Sequence, residues 1–156
     1  MSLPLDIARS HLETLIERLT RSEKAVPDKE GDYLVVTERA QFFARVDGPE
    51  QPVIRLFSVM ARNIDKTPEL LEALNSINSH LTFLRTMWIE QQVLMEADLL
   101  AMSSDIGDFA DACRRVALTS DHFGPDLIKS FGGEPMFETS KEAGYSPEPP
   151  NYFGYL

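Results

Sequence analysis

The residues of this 156-residue chain that bear on chemistry are three histidines, one cysteine and a set of arginines inside strand-like runs. His11, His80 and His122 lie far apart, and none sits in a metal spacing such as HExxH or beside a cysteine pair. Asp121-His122 reads as a helix surface pair, not as part of a catalytic dyad. Ser103-Ser104 has no G-x-S-x-G context and reads as a helix cap. Gly132-Gly133-Glu134 lacks the Lys and Ser/Thr of a phosphate loop and reads as a helix end. Cys113 falls within an apolar helical stripe with no base nearby, as a buried, inert thiol would. Asn75 and Asn78 either form a polar spot or, more simply, bond backbone near the end of their helix. No catalytic residue, metal ligand or cofactor site is assigned, and no enzyme is expected.

The arginines are more informative. In QFFARVD (41–47), VIRLFSVMA (53–61), TFLRTMWI (82–89) and VLMEADLL (93–100) alternate side chains must face opposite ways. One side collects Phe42, Ala44, Val46, Ile54, Leu56, Met60, Leu84, Trp88, Met95, Ala97 and Leu99, nearly all apolar, and should lie under helices. The other collects Phe43, Arg45, Val53, Arg55, Phe57, Val59, Phe83, Arg85, Met87, Leu94, Glu96 and Asp98. That second side is too apolar to stand bare in water, so a subunit, a peptide or another part of the chain should cover it. Arginine suits such a surface, because its planar fork pairs carboxylates and stacks on rings. Phe43, Arg45, Arg55, Phe57, Arg85 and Met87 are therefore the candidate binding residues. The commoner fate of such arginines is pairing with Glu96, Asp98 or other acids across strands.

The elements that place these residues follow from periodicity. Leu5–Leu19 carries a helical stripe of Leu5, Ile7, Ala8, Leu12, Leu15, Ile16 and Leu19, and residues 22–32 read as a loop. Tyr33–Thr37, Gln41–Asp47 and Val53–Ala61 are joined by connections short enough to force an antiparallel meander. Thr67 can cap a helix over TPELLEALNSIN, with Pro68 at its first position and Glu69 in its first turn. Thr82–Ile89 and Val93–Leu100 form a hairpin across Glu90-Gln91-Gln92. Ser103 or Ser104 caps a last helix whose stripe is Ile106, Phe109, Cys113, Val116, Ser120, Phe123 and Leu127, widened by Ala110, Ala117, Ile128 and Phe131. Pro125 should kink or break it, because proline removes a backbone bond and clashes with the preceding turn. The fold class is α+β: about five antiparallel strands with helices on one face, in the order α-β-β-β-α-β-β-α.

A chain of this length is expected to form one domain, here residues 1–133. Residues 134–156 are rich in Pro and Gly yet hold Phe137, Tyr145, Tyr152, Phe153 and Tyr155, and a docked tail is expected because disordered tails are poor in aromatics. The formal charge of −10 disfavours nucleic acid and an anionic membrane surface as partners. A single cysteine excludes an internal disulfide framework, and no apolar run reaches the length of a membrane span. A cytoplasmic protein is expected.

This element order resembles the type III secretion chaperone-like fold, and within it the YbjN-like peptide-binding chaperones of bacteria. The resemblance rests on Leu70-Leu71, Leu74-Asn75 and Ile77-Asn78 in the middle helix, and on the hairpin with Trp88 and Ala97-Asp98-Leu99. Phe131-Gly132-Gly133 adds to it, and the match covers roughly residues 5 to 133. The resemblance implies helices on one face of a curved antiparallel sheet, a homodimer, and binding of an extended polypeptide without catalysis. The reading is a chaperone-like module that holds an extended segment of a partner protein. A structural or regulatory subunit of a permanent complex is the alternative, and a small-molecule enzyme comes last.

Overall fold

The computed structural model describes residues 3–137 apart from Glu23 and Arg39. The tail aromatics Tyr145, Tyr152, Phe153 and Tyr155 lie outside the described residues. Among those described, the order is α1 (Leu3–Thr20), β1 (Tyr33–Val36), β2 (Gln41–Asp47), β3 (Val53–Arg62), α2 (Pro68–Asn78), β4 (Arg85–Ile89), β5 (Gln92–Leu100) and α3 (Ile106–Phe131). The strands form a five-stranded sheet in the order β1-β2-β3-β5-β4. The pairs β1·β2, β2·β3 and β4·β5 are antiparallel. The α+β class and the element order are those expected from the sequence.

The chain divides into two compact units, Met1–Phe57 with Ala97–Arg114, and Ser58–Glu96 with Arg115–Leu156. In the first, α1 packs on β1 and β2. Ala8, Leu12, Leu15 and Ile16 of the helix are buried, as are Tyr33, Val35, Phe42 and Ala44 of the strands. The Tyr33 hydroxyl donates to Glu13 Oε1 at 2.7 Å, which fixes the helix on the Tyr33 side of the sheet. Burial and this bond both push the phenol pKa up, so Tyr33 stays a donor. His11 Nε2 donates to the Ser104 carbonyl at 2.8 Å and ties α1 to the approach of α3.

In the second unit, α2 packs on β4. The expected cap is formed: the Leu70 N–H donates to Thr67 Oγ1 at 3.1 Å. Leu70 and Leu74 are buried. Glu90 and Gln91 both have positive φ, 47° and 65°, and Ile89 pairs with Gln92, so the hairpin closes through a two-residue turn. Gly132 and Gly133, at φ 85° and 91°, end α3.

Three local expectations are corrected. The hairpin's first strand begins at Arg85, not Thr82, because Phe83 sits in the left-handed region at φ 62° and the chain bends there. Leu84 and Phe83 therefore leave the strand faces, and Phe83 projects outward, 82% exposed. The cap of α3 is Asp105, not Ser103 or Ser104. Its Oδ1 accepts from the Asp108 N–H at 2.8 Å, and Asp108 Oδ2 accepts from the Asp105 N–H at 3.2 Å, a reciprocal capping box. α3 also runs unbroken through Pro125. Burial of Val116 before Pro125 and of Leu127 after it outweighs the lost backbone bond.

The capping assignment is testable by urea denaturation. Asp105→Ala should cost about 1 kcal/mol, and Ser103→Ala should stay within about 0.5 kcal/mol.

The outer strand face and the sheet edges as candidate binding site

Strand register decides which side chains share a face. In the first unit Leu34 pairs with Phe43, Phe43 with Phe57, and Arg45 with Arg55. These residues all point away from the side that α1 covers. The Phe43 and Phe57 rings stack with centroids 5.2 Å apart and planes 19° apart, and the Arg45 guanidinium lies 5.3 Å over the Phe57 ring. All four candidate residues of this unit are thus neighbours and half-buried.

Each of these arginines meets carboxylates. Arg45 Nε and Nη2 donate to Asp32 Oδ1 and Oδ2 at 2.6 and 2.7 Å, a fork-to-fork pair. That bond to Asp32 is the main cause raising the Arg45 pKa, ahead of burial, which opposes it. Arg55 donates to Asp98 at 2.9 and 3.2 Å and to Asp47 at 3.1 Å. Two arginines directly opposite each other across strands would repel, and Asp32, Asp47 and Asp98 relieve that repulsion. The pairing anticipated with Asp98 is present, while Asp32, from the loop before β1, was not foreseen.

The second unit holds Arg85 and Met87, in register with Glu96 and Leu94. Arg85 donates twice to Glu96 Oε2, at 3.1 and 2.8 Å. Glu96 is only 7% exposed, and Arg85 sets a positive charge beside this buried carboxylate. Arg85 is therefore a structural counter-ion, with part of its surface left open.

The residues that sequence reading missed are Leu34 and Val36, 48% and 49% exposed on β1. Their signal was present in the alternation of YLVV, in which only Tyr33 and Val35 can point inward. β1 and β4 are the two edges of the sheet, and they differ. At β4 the Asn78 side chain from α2 takes both backbone groups of Thr86: Nδ2 donates to the Thr86 carbonyl at 3.0 Å and Oδ1 accepts from its N–H at 2.7 Å. An amide side chain here stands in for a neighbouring strand at Thr86. This also places Asn78 as a backbone clamp. β1 has no such clamp among the described hydrogen bonds, and its two exposed side chains are apolar.

The remaining residues with chemical potential are dispersed. His80 Nδ1 donates to the Ser76 carbonyl at 2.9 Å, and the His122 ring packs edge-on to Phe123 at 4.7 Å. Among the described residues no group of His, Cys, Asp and Glu could hold a metal ion. Cys113 is buried, and burial pushes its thiol pKa well up. No helix among the described residues is long and apolar enough to cross a membrane.

Comparison with known proteins supplies the class. Residues 6–139 match the family described as T3SS (YopN, CesT) and YbjN peptide-binding chaperone 1. The chain belongs to this family of peptide-binding chaperones, whose members are binding proteins and not enzymes. Two solved structures share the fold. A chain of the ExsC–ExsE complex is 16% identical, with a TM-score of 0.61, over 81% of this chain and 97% of that one. A chain of the HopA1–SchA chaperone–effector complex is 11% identical, with a TM-score of 0.51, over 83% of this chain and 98% of that one. No curated protein sequence matches the chain.

Two outcomes check the geometry. Arg85→Ala should lower stability by about 1–2 kcal/mol in chemical denaturation, less than for a fully buried pair because Arg85 is partly exposed. Cys113 should resist a thiol reagent in the native protein at mildly alkaline pH, because its raised pKa keeps it protonated, and should react fully once urea unfolds the chain.

Proposed function

We propose that the chain is a chaperone-like module that holds an extended segment of a partner protein at the β1 edge. The observation that carries this reading is the asymmetry of the two edges. Asn78 clamps β4 at Thr86, whereas β1 has no such clamp among the described hydrogen bonds and exposes Leu34 and Val36. A strand added there would gain backbone hydrogen bonds, and its alternate side chains would lie on the face of Leu34, Phe43 and Phe57. Family membership supports a polypeptide as the ligand.

The arginines enter this reading in a changed role. Arg45 and Arg55 are balanced by Asp32, Asp47 and Asp98, so the face carries no excess positive charge to attract an acidic segment. Arg45 packs over the Phe57 ring, and recognition falls to Phe43, Phe57, Leu34 and Val36. Arg85 and Met87 lie on β4, at the opposite edge, and are a separate candidate contact of the second unit. The homodimer, the cytoplasmic location and the docked tail of residues 134–156 belong to the same proposal.

The test is binding to an array of synthetic peptides with apolar residues at alternate positions. Leu34→Lys with Val36→Lys should weaken capture at least about tenfold, equal to about 1.4 kcal/mol, with thermal stability nearly unchanged. Equal capture by the double variant would remove β1 as the site.

A further inference from the structure

The end of β3 carries a backbone pairing made by the chain's own C-terminal direction. The Arg62 N–H donates to the Glu134 carbonyl at 2.8 Å, and the Glu134 N–H donates to the Arg62 carbonyl at 2.9 Å. This reciprocal pair is an isolated antiparallel bridge, one residue long, immediately after the end of α3. Gly133 makes it possible. At φ 91° it turns the chain back onto β3, and a Cβ there would stand 2.8 Å from the Arg62 carbonyl oxygen and 3.1 Å from Ile64 Cβ. Gly132 has a similar φ of 85°, yet a Cβ there would meet nothing within 4 Å. The two glycines therefore do different work: Gly132 ends the helix, and Gly133 permits close approach.

The side chain of Glu134 adds to the contact. Its Oε2 accepts from Asn63 Nδ2 at 3.3 Å and lies 3.5 Å from Arg62 Nη2. The loop so held also covers Trp88. The Trp88 indole N–H donates to the Ile64 carbonyl at 2.9 Å, the Ile64 N–H donates to the Gln91 carbonyl at 3.1 Å, and Lys66 Nζ lies 5.4 Å over the indole ring. Ile64 itself is buried. Arg62 and Glu134 are by contrast largely exposed, so water competes for their side-chain contacts.

We infer that the end of β3 is a second strand-pairing edge, and that the Gly133-Glu134 segment is a strap that closes it. Closed, the strap fills the backbone groups of Arg62 that another extended chain would use, and it steadies the loop over Trp88. A bridge one residue long opens more readily than the sheet beside it. Opening frees Arg62 and loosens the Ile64 carbonyl on the indole, while the β4·β5 hairpin stays formed. This strap is independent of whether β1 takes a partner segment, so its test uses no ligand.

The experiment is amide hydrogen exchange by NMR on the full-length chain, with the Trp88 indole N–H as a second signal, since the chain has one tryptophan. Glu134→Pro removes the donor to Arg62, Gly133→Ala removes the close approach, and Gly132→Ala imposes a comparable left-handed strain without the contact. In the first two variants the Arg62 amide should exchange at least about tenfold faster and the indole resonance should move, with hairpin amides protected as in the parent. Gly132→Ala should retain the parent's Arg62 protection. Unchanged Arg62 exchange in Glu134→Pro and Gly133→Ala would overturn the strap. So would equal release by Gly132→Ala, which would trace the effect to the helix end. Loss of protection throughout the hairpin would also overturn it, since the bridge would then be inseparable from the fold.

Discussion

Everything in this structure depends on the two-sidedness of its strands. Successive side chains point to opposite sides, and here both sides are rich in apolar residues. Helix α1 can satisfy only the side of Tyr33, Val35, Phe42 and Ala44. Among the described residues the side of Leu34, Phe43 and Phe57 stays partly exposed. A one-residue slip between β1 and β2 would turn Tyr33 and Val35 outward and lose the Tyr33–Glu13 bond. The register is thus fixed by the same burial that leaves the outer face open.

The polar groups around that face tune it. Arginines on a strand suggest attraction for acids, yet each of these is already answered by a carboxylate of the chain itself. What remains is the Phe43–Phe57 stack framed by paired charges. Edge chemistry then gives direction. Backbone groups at one edge are taken by Asn78, and those at the end of β3 are taken by Glu134. Natural sheets must manage unpaired edges, and among the described residues β1, with exposed Leu34 and Val36, is an exception. Membership in a peptide-binding chaperone family is consistent with that exception.

Much of the fold was legible because its signals are local. The Thr67-Pro68 start of α2, the bounds of β2 and the glycine end of α3 each depend on a few adjacent residues, and all were readable. The failures occurred where two local signals competed. Asp105 and Ser104 are both good caps, and Asp105 prevails through its exchange of bonds with Asp108. Pro125 is a strong helix breaker, but burial of Val116 and Leu127 on either side of it holds the helix together. Phe83 looks like strand residue in an apolar run, yet the chain bends at it with positive φ. In α3, Ala112 and Thr119 are buried beside the stripe read from larger side chains, because packing sets the rotation of a helix.

The sequence by itself determined the elements, their order, the two faces of each strand and the family, because periodicity and caps act over a few residues. Only the tertiary structure decided which carboxylate answers each arginine, that Asn78 clamps Thr86, and where the chain returns onto β3. Asp32 meets Arg45 across 13 positions, Asp98 meets Arg55 across 43, and Asn63 meets Glu134 across 71. No short-range pattern encodes such meetings, because they are set by how the strands register and by where the glycines let the backbone turn.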